Sequence, residues 1–410
     1  MLKKWACLGS TLLLILSLWV SAFSAAEMGR GTAPGLEGGQ GRTALVGNVG
    51  RLAPEDQSLG GAELPSLETM ASVPGREEER KWAPYVSCQT GEQVSFMTTV
   101  TVSENLTDYN SYYCALTVEL DPGLRYVDAS ARITMDRANG KDLSEHFTVF
   151  HKNGTLTVFC KDLLAIEGIV PQQRLVLCYD ATLTSEAIMG NPGNLCSAKL
   201  EYSDPATKGE GGKNALVSGP CAYAAVFTYG LRINKVDGNT FMPVTNAEFM
   251  IRNEDNKYLI LQDGMVEGWT GDPRKGSVLT SDGEGMLSVM GIRPGLYSLE
   301  EIKAAQGYQG LDEPISIEIF AYYDAGEDGR SRVSRLQASI DGGEIYAAPG
   351  ETLDLLDLRV ENAYRPELPQ SGGVGTSLFY ILGGTAMFAV ALVCVAKRKG
   401  QKNEVSPAEE

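Results

Sequence analysis

Apolar and polar residues alternate in many segments between about residues 85 and 364, and this periodicity constrains the fold more than any other feature of the sequence. A period of two is typical of β-strands, because successive side chains point to opposite faces of a sheet. Segments of this kind occur at residues 94–102, 115–120, 156–159, 175–183, 198–202, 231–236, 247–251, 296–302, 315–322 and 355–361. Long helical periodicity is absent from this region, so the sequence predicts an all-β fold.

The predicted strands fall into two groups, which indicates two tandem domains. The first covers residues 85–224 and the second residues 225–365, each long enough for an Ig-like β-sandwich. Hairpin-type turn signals occur in the second group at Asp263-Gly264, Asp282-Gly283 and Asp341-Gly342.

The N-terminal region indicates export. Met1-Leu2-Lys3-Lys4 is positively charged, residues 12–20 are apolar, and small residues follow at 21–26. This order is typical of a secretory signal peptide, here residues 1–26, with cleavage after Ala26 or after Ser24. An uncleaved membrane anchor is the alternative. Residues 27–84 are rich in Gly, Pro, Glu and Ala, so we predict a disordered N-terminal segment there.

The C-terminal region, residues 366–410, combines three signals. The pentapeptide Leu368-Pro369-Gln370-Ser371-Gly372 precedes an apolar run at 378–396, and Lys397-Arg398-Lys399 follows. The run has about the length of a transmembrane helix, and the basic cluster behind it would stay cytoplasmic. An ordinary type I membrane anchor would share these properties. The pentapeptide in this setting resembles the sorting signal of Gram-positive cell-wall proteins, with Ser371 in place of threonine. The resemblance implies that a sortase cuts between Ser371 and Gly372 and joins Ser371 to peptidoglycan or to another pilin subunit.

Three segments of the second domain resemble the collagen-adhesin B-type, prealbumin-like domain of Gram-positive pilins. They are the opening strand at 231–237, a glutamate box at 295–308 with Ala305 where proline is usual, and the final strand ending Val360-Glu361-Asn362-Ala363-Tyr364. The resemblance implies an intramolecular isopeptide bond between Lys235 and Asn362, assisted by Glu301.

Strand alternation supports these roles. Leu231, Ile233 and Lys235 share one strand face, as do Tyr297, Leu299 and Glu301, so Lys235 and Glu301 are expected to point into an apolar core. Burial disfavours charged forms, which would leave Lys235 a neutral nucleophile and Glu301 a protonated acid that polarises the amide and shuttles protons.

Composition excludes several classes of function. The formal net charge of −17 argues against binding to nucleic acid or to anionic membrane surfaces. The two histidines, His146 and His151, are interpreted as surface residues rather than as a metal pair. We find no recognisable catalytic set for a small substrate, so neither an enzyme nor a cofactor nor a metal site is predicted.

Cysteines cluster in the first domain. Cys7 lies in the predicted signal peptide and Cys394 in the apolar run, and the remaining six are Cys88, Cys114, Cys160, Cys178, Cys196 and Cys221. Disulfides persist outside the cell, and six cysteines allow 15 connectivities. Buried reduced thiols are the alternative.

The order of motifs in residues 85–224 resembles the isopeptide-forming fimbrial domain that often precedes the prealbumin-like one. Matching segments include 90–96, 120–124, 154–158, 179–183 and 190–203. Cys196 stands where that family has its reactive asparagine, and Val118 stands where its catalytic aspartate is expected. One interpretation is a Cys88–Cys196 disulfide clamp, and the other is an isopeptide bond from Lys81 to Asn194 assisted by Glu119.

Together these features predict a cell-wall-anchored surface protein, either a minor pilin subunit or a pilin-like adhesin, with sortase, peptidoglycan and other pilin subunits as partners. A shaft subunit usually has an acceptor lysine in a Tyr-Pro-Lys motif, which is absent here. The alternative is a disulfide-bonded type I membrane adhesion or receptor protein that sortase does not process. The formal glycosylation acceptors Asn105-Leu106-Thr107 and Asn153-Gly154-Thr155 would fit it. The sequence does not indicate the adhesion ligand.

Overall fold

The structure, a computed structural model, describes residues 64–74, 81–203, 215–341, 343–346, 353–364 and 374–402. They belong to one compact unit, Arg51–Glu410. Its strands are β1 (Ser66–Ser72), β2 (Tyr85–Ser87), β3 (Gln93–Thr101), β4 (Cys114–Leu120), β5 (Leu124–Tyr126), β6 (Arg132–Met135), β7 (Thr148–Lys152), β8 (Thr155–Cys160), β9 (Arg174–Leu183), β10 (Asn194–Ser203), β11 (Leu216–Phe227), β12 (Tyr229–Asp237), β13 (Glu248–Asn253), β14 (Tyr258–Gln262), β15 (Met265–Thr270), β16 (Leu279–Thr280), β17 (Met286–Ile292), β18 (Gly295–Lys303), β19 (Ile315–Ala325), β20 (Ser331–Ile340), β21 (Gly343–Tyr346) and β22 (Leu355–Asn362). Short 3₁₀ turns occur at Leu106–Asp108, Ser144–His146 and Leu163–Ala165, and the helix α1 covers Val374–Lys402.

Two sheets enclose the first hydrophobic core. One has the order β1-β3-β9-β5 with β6 also on β9, and the other has the order β2-β11-β10-β4-β8-β7. Alternate residues of their strands face each other, and Phe96, Val118 and Leu156 are fully buried between the sheets. The predicted strands and the β-sandwich are confirmed in this half of the chain.

The strand β1 corrects the prediction of disorder at residues 66–72, within the segment 27–84. It pairs antiparallel with β3 over its whole length, from Ser66 opposite Thr101 to Ser72 opposite Ser95. Its composition gives little sign of this, because apolar and polar residues are mixed without strict alternation between Pro65 and Pro74. Pairing with β3 supplies backbone hydrogen bonds and buried neighbours that make the strand stable, whereas its own sequence would not.

The second half forms a sheet of eleven strands around the second core. The order is β21-β20-β19-β18-β13-β14-β15-β17-β12-β22, with β16 on β13. The last strand, β22, lies parallel to β12, with Leu231 opposite Leu356 and Asp237 opposite Asn362. The predicted turn at Asp263-Gly264 joins β14 to β15, and both residues have positive φ, as this hairpin turn requires.

The strand β11 contributes to both cores. Ala224 and Val226 pack in the first core, whereas Ala225 and Phe227 pack in the second. Only Thr228 separates β11 from β12. The predicted domain boundary at residue 224 therefore falls inside a strand, and no linker is present there.

Hydrogen bonds also join loops of the first sandwich to the second. The backbone N–H of Thr90 donates to the Gly291 carbonyl at 3.0 Å, and Trp269 Nε1 donates to Gln89 Oε1 at 2.7 Å. At a second point, Asn191 Nδ2 donates to the Val333 carbonyl at 2.9 Å and Asn191 Oδ1 accepts from the Val333 N–H at 2.7 Å. The two halves are thus joined by hydrogen bonds that involve both backbone and side-chain groups.

The helix α1 includes the apolar run predicted at 378–396. Its helical state is confirmed, whereas no helix among the described residues is long and apolar enough to cross a membrane.

Candidate cross-linking site

Lys235 lies near the end of β12 and points into the second core. Leu231, Ile233 and Lys235 are 0%, 1% and 0% exposed, which confirms the face predicted from strand alternation. The aromatic ring of Phe249 on β13 lies 5.2 Å from Lys235 Nζ. The side chain of Lys235 is thus held in apolar surroundings, which disfavour the charged form of its amine.

Glu301 and Asn362 approach Lys235 from two other strands. Glu301 lies on β18, opposite Phe249 of β13, and its side chain is 0% exposed. Tyr297 and Leu299 share its inward face, as predicted. Asn362 ends β22 and is 3% exposed. The parallel pairing of β12 with β22 is what brings the first and last strands of this sandwich side by side.

The three side chains form a hydrogen-bonded set. Lys235 Nζ donates to Asn362 Oδ1, and Asn362 Nδ2 donates to Glu301 Oε1 at 2.8 Å. Glu301 Oε1 lies 3.9 Å from Lys235 Nζ. The second oxygen, Glu301 Oε2, accepts the backbone N–H of Leu311 at 2.7 Å, which fixes the carboxyl orientation. The structure therefore brings together all three residues named from the sequence.

Burial lowers the pKa of the Lys235 ammonium from 10.5 to about 8, while the nearby Glu301 opposes this shift. Desolvation therefore outweighs the ion pair, and a much larger fraction of the lysine is neutral near pH 8 than for a lysine in water. A neutral amine beside an amide carbonyl, with a carboxyl group touching the amide nitrogen, can undergo acyl transfer.

Two supporting residues were missed by the sequence analysis. Phe249 and the Leu311 backbone N–H hold the lysine and the carboxyl group in place. Phe249 follows an alternating strand signal but has no motif of its own, and a backbone donor leaves no residue-type signal at all. Both became visible only through the pairing of β13 with β18 and the loop that follows β18.

The Cys88–Cys196 clamp predicted for the first sandwich is incompatible with its register. Both residues are fully buried, but β2 and β10 lie on opposite sides of β11. Strands separated by one neighbour are about 9–10 Å apart, whereas a disulfide needs Cα atoms within about 7 Å. Cys196 instead contacts the hydroxyl of Tyr179 at 2.8 Å.

The competing isopeptide bond from Lys81 to Asn194 is also corrected. Lys81 and Glu119 are exposed, whereas Asn194 is fully buried. The Asn194 amide is occupied by main-chain groups: it donates to the carbonyls of Ile188 and Val226 at 3.0 and 3.1 Å and accepts the Ile188 N–H at 2.9 Å. Asn194 therefore has a structural role in holding a loop against β11.

Other predicted features lie outside the described residues, namely the signal peptide at 1–26 and the pentapeptide Leu368-Pro369-Gln370-Ser371-Gly372. Among the residues that the structure describes, no group of three or more His, Cys, Asp or Glu side chains could hold a metal ion.

Comparison with known families identifies two segments of the chain. Residues 230–326 match the SpaA prealbumin-like fold domain, and residues 361–402 match the LPXTG cell wall anchor motif. The first match contains Lys235 and Glu301, and the second begins at the strand end that carries Asn362. The chain thus contains a pilin-type prealbumin-like domain and a Gram-positive cell-wall anchor.

Related proteins extend the likeness over both sandwiches. The trypsin-resistant surface T6 protein of Streptococcus pyogenes serotype M6 is 21% identical over 357 residues, covering 73% of this chain. The chain spans 61% of the length of that relative. The structure of the group B streptococcus pilus 2b backbone protein aligns with a TM-score of 0.51 at 19% identity, covering 69% of this chain and 97% of the other. The T6 backbone pilin of serotype M6 Streptococcus pyogenes aligns with a TM-score of 0.49 at 16% identity, covering 74% and 70%.

These matches define the class of protein. The chain combines a prealbumin-like domain with a Gram-positive cell-wall anchor motif, and it is a surface protein located at the cell wall of a Gram-positive bacterium that is similar to streptococcal pilins. Its all-β fold is that of pilin β-sandwiches.

Proposed function

We propose that this protein is a minor pilin subunit or pilin-like adhesin whose second sandwich is closed by an isopeptide bond between Lys235 and Asn362. The observation that supports this most directly is the convergence of an amine, an amide and a carboxyl group in one buried site. Because the amine of Lys235 and the amide of Asn362 come from the first and last strands, a bond between them would carry tension that otherwise falls on hydrogen bonds between β12 and β22.

The geometry suggests how the bond forms. Neutral Lys235 Nζ attacks Asn362 Cγ, creating a tetrahedral centre as the Nζ–Cγ bond forms. Glu301, which contacts the amide nitrogen and lies 3.9 Å from the amine, passes a proton from the amine to the departing nitrogen. The Cγ–Nδ2 bond then breaks and ammonia leaves, so that one amine and one primary amide become one secondary amide.

Intact mass tests this reaction. A recombinant chain covering residues 64–364 retains both sandwiches and therefore the shared strand β11. Loss of ammonia should leave it about 17 Da below its sequence mass, and its digest should contain a branched peptide joining β12 to β22. A folded wild-type chain at full sequence mass would show that the three residues form only a buried polar cluster.

Matched variants separate chemistry from folding. Glu301→Gln and Lys235→Met should restore the full mass, because the first removes the proton shuttle and the second removes the nucleophile. Glu300→Gln and Lys303→Met change more exposed neighbours of the same residue types on β18 and should keep the 17 Da loss. Circular dichroism confirms that each variant is folded before its mass is interpreted.

Two sequence features bear on the type of subunit. The absence of a Tyr-Pro-Lys motif favours a minor subunit or a wall-anchored monomer over a polymerising shaft subunit. The match to the cell-wall anchor motif disfavours the alternative of a receptor that sortase leaves unprocessed. Incorporation of the purified protein into polymers by sortase would distinguish a shaft subunit, which forms ladders alone, from a minor subunit, which needs another pilin.

A further inference from the structure

Two cysteines of the first sandwich face each other across neighbouring strands. Cys114 begins β4, Cys160 ends β8, and the antiparallel register pairs them directly. Directly paired Cα atoms lie about 4.5–5.5 Å apart with their side chains on one face, and disulfides need about 4.4–6.8 Å. Both are 5% exposed and belong to the first core, and both are thiols in the structure.

The register disfavours the other pairings. Cys178 lies between the inward residues Leu177 and Tyr179 and so faces outward from the sheet that contains β9. Cys221 is exposed on β11, opposite Lys199, and so faces outward from the other sheet. These two thiols are on opposite outer faces of the sandwich.

The two remaining cysteines have separate surroundings. Cys88 lies close enough to Tyr323 of the second sandwich to affect its pKa, whereas Cys196 contacts Tyr179 inside the first. They are separated by β11, as described above. Among the six described cysteines of the first sandwich, only Cys114 and Cys160 are directly opposed on adjacent strands.

We propose that Cys114 and Cys160 form a disulfide in the exported protein. The two thiols lose two protons and two electrons as the S–S bond forms, and an external disulfide oxidant accepts them and becomes two thiols. The cell-wall location allows such a bond to persist. The bond would tie the hairpin β7–β8, at the edge of its sheet, to the central strand β4.

The bond is expected to form before the first sandwich closes. Burial raises the pKa of the Cys114 thiol to about 12, with the neighbouring Cys160 adding to the shift, and burial also raises the pKa of Cys160. Because the thiolate is the attacking species, exchange in the folded core would be slow. The partially folded chain is therefore the substrate of the oxidant.

Peptide mapping of the full chain tests the pairing. The chain is refolded in detergent micelles with reduced and oxidised glutathione, remaining thiols are blocked with N-ethylmaleimide, and the protein is digested without reduction. Trypsin together with a glutamate-specific protease separates Cys88 from Cys114, because Glu92 and Glu104 lie between them. The expected product is a linked pair of peptides containing Cys114 and Cys160, about 2 Da lighter than the two reduced peptides together.

Two single variants complete the test. Cys160→Ser should leave Cys114 alkylated, while Cys178→Ser should leave the linked pair unchanged. The proposal is overturned if Cys114 and Cys160 are both alkylated in refolded wild-type chain, or if Cys114 is linked to any other cysteine.

Discussion

At the scale of single residues, Lys235 shows how burial can turn an ordinary side chain into a reactive one. Its stem packs in the second core while Phe249 and Glu301 surround the amine. The Coulomb attraction of one carboxylate does not compensate for lost hydration, so the pKa falls to about 8. The neutral fraction of the amine then depends steeply on pH in the range where proteins are handled.

Cross-link formation should therefore depend on pH. The lowered pKa means that the ammonium predominates below about pH 8 and the neutral amine above it. The rate should rise about tenfold per pH unit between pH 6 and 8 and level off above. The measurement is the time course of the 17 Da loss after chain isolated unfolded from inclusion bodies, at its full sequence mass, is diluted into buffers from pH 6 to 9.

Tryptophan fluorescence measured in parallel separates refolding from the chemical step. If refolding is fast at each pH, a rate of mass loss that does not change between pH 6 and 8 would contradict the role of a neutral lysine.

The site was largely predictable from sequence because it depends on local signals. Family resemblance named Lys235, Glu301 and Asn362, and strand alternation placed Lys235 and Glu301 on inward faces. The cysteines were not predictable in this way. Which cysteines come together depends on the order of strands in the sheet, which no local pattern specifies. In this sheet β4 pairs with β8, and β11 separates β2 from β10.

At the scale of elements, β11 shows why the domain boundary was misplaced. The grouping of predicted strands into two domains placed a junction at residue 224, but the strand continues across it to Phe227. Alternation of apolar and polar residues indicates a strand with one buried face. Near its C-terminal end β11 has both faces buried, one in each core, so this pattern is lost there. The strand β1 was missed for a related reason, since its stability comes from β3 rather than from its own composition.

Phe227→Ala should destabilise the protein strongly. Phe227 is fully buried and its ring centroid lies 5.1 Å from that of Tyr323. Truncation leaves a cavity at the end of a strand that serves both cores, with an expected loss of about 3–5 kcal/mol in the free energy of unfolding measured by urea denaturation. Phe150→Ala is the matched control on β7, where the side chain is 56% exposed, and it should change stability by less than about 0.5 kcal/mol. Equal losses for the two variants would disprove the packing role of β11.

At the scale of the whole molecule, the two sandwiches are connected by contacts that a flexible tandem would lack. One strand serves both cores, and loop contacts at Thr90 and Asn191 reach across to backbone groups of the second sandwich. We therefore expect the two halves to unfold in one cooperative transition.

Asn191→Ala tests the strength of this connection. The substitution leaves both the N–H and the carbonyl of Val333 without their partner, which should cost about 1–3 kcal/mol. Scanning calorimetry should show a lower melting temperature for a single transition, while Asn239→Ala, at an exposed turn, should melt like the wild type. Two separate transitions in the wild-type protein would contradict cooperative unfolding.

Anchoring is a property of the intact chain. If sortase cuts after Ser371, protein released by wall digestion should end at Ser371 and be joined to a wall peptide or another subunit. Leu368→Ala with Pro369→Ala should move the protein to the membrane or the medium, whereas Gln370→Ala, at the position that the LPXTG motif leaves open, should not. Intact chains ending at Glu410 as the main mature form would refute this cleavage.

The shared strand also bears on how such proteins can diversify. Surface proteins that diversify by exchanging whole domains need crossover positions at which few packing contacts are broken on either side. A crossover at residue 224 would leave the first fragment without Val226, which packs in its core, and would leave Ala225 and Phe227 of the second fragment without the strand β10 that pairs with this part of β11. Because neither half can be transplanted cleanly, we expect the two sandwiches of this protein to be inherited together, with variation confined to the loops between strands.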